Sequence, residues 1–279
     1  MKRNVKAFLD RNRWLKAVPN ALTICNSLCG FAAIINTLRV YERISAADGA
    51  IDSSEILMQS ALFILFAMVF DAFDGFAARI LNAASMHGIQ MDSLADMVTF
   101  GVAPATLIVV MTHSLPSFDP KNFFIVWALA GIYLGCAALR LATYNVHAMI
   151  EKKSSDKFSG LPSPGAAAAI CTAIIYYNYL GMEIKHLAFF LPIYCALLGI
   201  LMVSRIPYTH AAKWLLSIRR NKKRMILVII LIIAACIHLR LTAFVAVNGY
   251  ILFGILAALY RKCFGAHGAV QSGSVREDA

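Results

Sequence analysis

Long apolar stretches alternate with short polar ones along nearly the whole chain, and the apolar stretches are too long and too evenly hydrophobic for the faces of a soluble protein. They run roughly over residues 19–40, 56–81, 88–112, 123–146, 161–181, 187–206, 225–240 and 243–261. Each approaches the ~20 apolar residues that carry a helix across a bilayer. The pattern predicts an all-α integral membrane bundle of about eight transmembrane helices. The last two are joined only by a turn-like segment from His238 to Thr242. There is no inserted soluble domain and no internal repeat. Ahead of the first stretch, Val5, Phe8, Leu9 and Leu15 recur at helical spacing among six basic residues. This predicts an amphipathic helix over 1–18 lying on the membrane surface, and not a cleavable signal peptide, because no apolar core or cleavage site precedes the first span. The expected organisation is this surface segment, a six-span core over 19–208, a basic loop with two further spans over 209–262, and a disordered polar tail over 263–279.

Composition agrees. The 279 residues are 60% hydrophobic and only 15% charged, where soluble domains run near 45–50% and about 25%. The net charge of +11 would suggest nucleic acid in a soluble protein, but here it follows the loops. Lys2, Arg3, Lys6, Arg11, Arg13 and Lys16 precede the first span. Lys152, Lys153 and Lys157 precede the fifth, and Lys213, Arg219, Arg220, Lys222, Lys223 and Arg224 precede or open the seventh. Glu42, Asp48, Asp52 and Glu55 follow the first span against Arg43. With eight spans the basic loops share one side, so both termini and the connection between spans two and three are expected in the cytoplasm. Of the seven cysteines, Cys25, Cys29, Cys136, Cys171, Cys195 and Cys236 lie in apolar runs without metal-ligand spacing and read as small core residues.

Against that background four carboxylates stand out. Asp71, Asp74, Asp92 and Asp96 lie within or at the edge of spans two and three, where an ionised side chain is costly unless paired or lining a polar cavity. At 100° per residue, Asp71, Asp74, Gly75 and Ala78 share one helix face, as do Gly88, Asp92 and Asp96. Where two such faces meet, four like charges converge, and divalent cations relieve the repulsion. Carboxylates without nearby Cys or His indicate a hard ion, Mg²⁺ or Mn²⁺. Gly75, Ala78 and Gly88 remove bulk beside the acids, and Arg79 adds a fixed cation suited to phosphate oxygens. The combination points to phosphoryl chemistry. A cation transporter would leave Arg79 and the small residues without a purpose, and a purely structural protein would carry four desolvated acids for no return.

These residues form a signature. Asp71-x2-Asp74-Gly75-x2-Ala78-Arg79-x8-Gly88-x3-Asp92-x3-Asp96 resembles, without gap or substitution, that of the CDP-alcohol phosphotransferase family. Further stretches are similar to its phosphatidylserine synthase branch: PNALTICNSLCG (Pro19 to Gly30), DSLADMVTFGVAPA (Asp92 to Ala105), ALRLATYN (Ala138 to Asn145), FSGLPSPGAA (Phe158 to Ala167) and LMVSRIPY (Leu201 to Tyr208). Thr143 and Tyr144 stand where relatives often carry a second Arg followed by Phe.

The resemblance implies a two-metal site of Asp71, Asp74, Asp92 and Asp96 for the diphosphate of CDP-diacylglycerol. Gly75 and Ala78, with Arg79 and Gly88, would accommodate the CDP-lipid, and Asp96 would be the general base. The implied reaction moves a phosphatidyl group to L-serine with release of CMP. Glycerol 3-phosphate, an inositol phosphate or choline are the alternative acceptors. Arg140, Asn145, Ser204 and Arg205 are candidate contacts to serine, and Asn26 is another polar group able to bind serine or bond across helices. Implied partners are CDP-diacylglycerol, L-serine, membrane lipids and a second copy of the chain, with no nucleic acid. The expected location is the bacterial cytoplasmic membrane with the site facing the cytoplasm.

Overall fold

The computed structural model describes residues 17–46, 53–81, 85–115, 118–150, 160–180, 187–206, 208 and 222–264. Residues 1–16 of the surface helix expected over 1–18, the basic loop residues 152, 153, 157 and 209–221, and the tail from 265 onward lie outside the described residues. The described segments form helices and no strand: α1 (Val18–Ala46), α2 (Ser53–Ile80), α3 (Met86–Asp96), α4 (Ala103–His113), α5 (Phe123–Ile150), α6 (Ser163–Leu180), α7 (Leu187–Val203) and α8 (Lys222–Phe264). A π-helical segment, Met97–Val102, joins α3 to α4 without a break.

Five described stretches are long and apolar enough to cross a membrane: Val18–Tyr41, Ser53–Ile80, Met86–His113, Pro120–Val146 and Ala234–Arg261. Phe190–Val203 is apolar but shorter, so the expected count of eight is not reached on this criterion. The outward faces are those of a membrane protein. Phe31 and Ile35 on α1, Phe66, Phe73 and Phe76 on α2, and Phe124 and Trp127 on α5 are all exposed. Such surfaces are stable where lipid covers them.

The chain divides into two compact units, Met1–Ser155 with Pro162–Val203, and Asp156–Leu161 with Ser204–Ala279. In the first, α1 packs along α2, α5 along α7, and α6 against α2. The interior is built from small side chains. Ala166, Ala167 and Ala169 of α6 are fully buried together with Ile170, Cys171 and Ile174. Gly199 of α7 lets α5 approach until an added Cβ would stand 2.7 Å from the Tyr133 Cα. This is the small-residue packing that replaces the hydrophobic drive inside a bilayer. Of the cysteines expected in the core, Cys171 and Cys195 are buried, Cys25, Cys29 and Cys136 are half-buried, and Cys236 is exposed on α8.

The predicted third span is one continuous stretch whose winding changes before Pro104. Pro104 has no N–H and cannot donate to the Phe100 carbonyl four residues back. The chain widens into a π turn, in which the Ala103 N–H reaches back to the Val98 carbonyl. The fully buried Tyr133 hydroxyl of α5 donates to the Phe100 carbonyl at 2.7 Å. A proline in α4 is thereby answered by a tyrosine from another helix.

In the second unit, the Gly160 N–H donates to the Ile206 carbonyl at 2.8 Å, with Gly160 at φ 92°, a left-handed conformation that glycine adopts without strain. Tyr208 is buried against Gly254, where a side chain would collide with its ring, and its hydroxyl donates to the Ile251 carbonyl at 3.4 Å. The turn expected over His238–Thr242 contracts to one residue. Only His238 leaves helical geometry (φ −143°, ψ 76°), and the helix resumes directly after it.

Candidate active site

The two aspartate faces meet. Asp71 and Asp74 project from the last turns of α2 and Asp92 from α3, and one carboxylate oxygen of each lies within 4.8 Å of the others. Asp96 lies one turn beyond Asp92 on the same helix and is not one of the three acids that converge. The span that carries Asp92 and Asp96 is the most enclosed of the five, 67% buried against 22–33% for α1, α2 and α5. That burial is concentrated from Thr99 onward, while within α3 itself only Ala95 is fully buried, so the acids sit at the less enclosed end of the span.

α1 supplies the supports. Asp74, only 5% exposed, accepts a hydrogen bond from the Thr23 hydroxyl at 2.9 Å. Asn26 Nδ2 donates to Asp96 Oδ1 at 3.3 Å. The Thr99 hydroxyl, in the π segment, donates to the Asn26 carbonyl at 3.1 Å. Gly30 makes that crossing feasible, since an added Cβ would lie 2.8 Å from the Thr99 Cα. Pro19, Thr23, Asn26 and Gly30 follow one another at helical spacing, so one stripe of α1 faces the acids. Thr23 and Thr99 were not among the residues expected at the site.

Among the acids, Asp92 Oδ1 is buried without a hydrogen-bond partner. An unsatisfied buried carboxylate oxygen beside two further carboxylates is a poor resting arrangement for the protein alone. It fits a hard cation, whose preferred ligands are these oxygens. The residues present therefore suit a divalent metal. Beside them Gly75 leaves space open, an added Cβ meeting only the Arg79 guanidinium at 3.8 Å. Arg79 itself is exposed. Gly88 is different. It sits in the first turn of α3, donates its N–H to the capping Ser85 hydroxyl at 3.0 Å, and would press a Cβ to 3.2 Å from that oxygen. Its smallness serves the start of the helix.

The candidate acceptor contacts separate into two groups. Arg140 Nη1 donates to the Ser163 hydroxyl at 2.8 Å, which ties α5 to the start of α6. Asn145 Oδ1 accepts from the hydroxyl of Ser93, the neighbour of Asp92, at 2.8 Å. Asn145 is thus tied to the residue beside a metal-site acid, through a serine that was not among the expected site residues. Ser204 and the exposed Arg205 belong to the second unit.

Three converging carboxylates beside an open glycine, carried on membrane-crossing helices, fit a metal-dependent lipid transferase site, and comparison with known proteins agrees. The sequence model described as CDP-alcohol phosphatidyltransferase matches residues 16–201, and the chain belongs to that family, which is metal-dependent. Among curated proteins it is similar to the CDP-diacylglycerol–serine O-phosphatidyltransferase of Bacillus subtilis, with 36% identity over 201 residues, covering 70% of this chain and 92% of the relative. A Helicobacter pylori protein of the same name is 31% identical over 211 residues, 75% of this chain and 83% of its own. The archaetidylserine synthase of Methanothermobacter thermautotrophicus is 30% identical over 197 residues, 69% of each chain.

Proposed function

We propose that this protein transfers a phosphatidyl group from CDP-diacylglycerol to L-serine, giving phosphatidylserine and CMP. The observation that carries the reading is the convergence of Asp71, Asp74 and Asp92 within 4.8 Å in a member of this family, and the names of its relatives support serine as acceptor. Asp71, Asp74, Asp92 and Asp96 would hold two divalent cations, Mg²⁺ or Mn²⁺. When bound, such ions supply charge neutralisation at phosphoryl oxygens.

The protein's own residues do the rest. The serine hydroxyl oxygen forms a bond to the lipid-side phosphorus while the bond from that phosphorus to the CMP oxygen breaks, and CMP leaves with the electron pair. Asp96 lies in reach to take the hydroxyl proton and pass it to solvent; its value is position, since a serine hydroxyl needs a base at hand. Arg79 offers its guanidinium to phosphate oxygens. The open side of Gly75, with Ala78, admits the CDP-lipid, while Gly88 contributes by starting the helix that carries Asp92 and Asp96. Arg140, Asn145, Ser204 and Arg205 are the proposed serine contacts, of which the Asn145–Ser93 bond gives Asn145 the strongest support. The catalytic core is assigned to 19–208. Loop charges support cytoplasmic termini and a cytoplasm-facing site in a bacterial inner membrane, and the family supports a homodimer.

The test is CMP release from CDP-diacylglycerol by purified protein with Mn²⁺ or Mg²⁺, with and without serine. Serine-dependent release that disappears in Asp96→Asn is expected. Release with glycerol 3-phosphate, an inositol phosphate or choline in place of serine would move the acceptor. Absence of metal-dependent release with any of them would overturn the assignment.

A further inference from the structure

Asn26 is fully buried, yet only half of its carboxamide is engaged. Nδ2 donates to Asp96 Oδ1 at 3.3 Å, whereas Oδ1 is buried with no hydrogen-bond partner. The orientation is fixed. Turning the amide over would set its oxygen against the Asp96 carboxylate, acceptor to acceptor. The backbone cannot drift either, because the Thr99 hydroxyl holds the Asn26 carbonyl at 3.1 Å across the close crossing at Gly30. The result is an unmatched acceptor, Asn26 Oδ1, on the side chain that is bonded to Asp96. Buried acceptors are expensive to leave unmatched, so this one suits a ligand that brings it a donor.

We propose that Asn26 is a positioning and specificity-determining residue for the acceptor. Its Nδ2 aims Asp96 at the acceptor hydroxyl, and its Oδ1 receives the ammonium on the adjacent carbon. The substrate class so selected is the vicinal amino alcohol. This rests on the reaction assigned above and adds the group that reads the amine. A polyol phosphate brings no ammonium, and a quaternary amine brings no N–H, so both leave Oδ1 unmatched. Sites built to bond a donor reject analogues lacking it far more strongly than apolar pockets reject a wrong shape.

The experiment uses full-length protein, with CMP release measured while serine, 3-hydroxypropanoate (serine without its amine), CDP-diacylglycerol and Mn²⁺ are varied in turn. The wild type is expected to favour serine over 3-hydroxypropanoate strongly in kcat/KM. Asn26→Ala is expected to raise the serine KM about 10- to 100-fold, to leave the KM for CDP-diacylglycerol within about two-fold, and to flatten the preference between the two acceptors. An unchanged serine KM would overturn the proposal. So would a rise shared equally by CDP-diacylglycerol or Mn²⁺, which would place Oδ1 against the nucleotide or the metal. If Asn26→Ala does not fold, the wild type alone decides: equal use of serine and 3-hydroxypropanoate would sink the idea. No serine-dependent release by the wild type would instead overturn the reaction assignment, and this inference with it.

Discussion

Helix α1 takes part in two polar clusters, one with α2 and one with α2 and α3, and they are finished differently. Toward the C-terminal end of α1, Asn36 Nδ2 donates to the Ile56 carbonyl and to the Ser60 hydroxyl, both at 3.0 Å. Ser60 donates to the same carbonyl at 3.0 Å, and Arg39 donates to Asn36 Oδ1 at 3.3 Å. Donors and acceptors of that asparagine are all used. Toward the other end, Thr23 and Asn26 reach Asp74 and Asp96, but Asp92 Oδ1 and Asn26 Oδ1 stay unmatched. The network between α1 and α2 alone is closed, whereas the one that also draws in Asp92 and Asp96 of α3 is left open. A cluster that only joins helices satisfies itself, whereas one that binds something keeps acceptors in reserve.

The comparison breaks most sharply at the aspartates. Asp92→Asn keeps shape and removes a charge, and CMP release should fall by more than the roughly 10–100-fold typical for loss of a residue that merely supports a metal ligand. Thermal unfolding in detergent should stay cooperative, because relieving like charge does not disrupt packing. Thr23→Val tests the support itself: activity should drop about 10–100-fold, with the loss showing in metal dependence. Equal activity would remove Thr23 from the site.

The open cluster should also respond to metal without turnover. Mn²⁺ at about 100 times its Kd is expected to stabilise the wild type by ~2.7 kcal/mol, read as a rise in Tm that a chelator reverses and Asp71→Asn abolishes. A metal-independent Tm would contradict the assigned donor set. The smallest effect belongs to the closed cluster. Asn36→Ala should cost about 0.6–2 kcal/mol of stability, the range for hydrogen bonds between membrane helices, and leave kcat and both KM values unchanged. A selective rise in the serine KM there would erase the distinction between the two clusters.

Much of the site is legible in the amino-acid sequence, for a simple reason. Asp71 with Asp74, and Asp92 with Asp96, lie three or four residues apart, and helical geometry alone puts each pair on one face. Their supports are harder to find. Thr23 and Asn26 stand 51 and 70 residues from the acids they hold, and polar residues in α1 carry no mark that says which acid they meet. Arg140 and Asn145 are visible as polar groups in an apolar span, but their bonds to Ser163 and Ser93 follow from how α5, α6 and α3 pack. Gly88 illustrates a glycine whose sequence context suggests open space and whose structure shows a capped helix start.

Hydropathy and helical periodicity are local properties of a chain. From them alone it follows that this protein lives in lipid, where its helices run, and that four carboxylates share two helix faces. Tertiary structure decided which acids converge, that the change of winding before Pro104 is met by Tyr133, and that Asn26 spends one end of its amide on Asp96 while keeping the other free. Those outcomes depend on contacts between segments distant along the chain, and only the packing of the folded bundle specifies them.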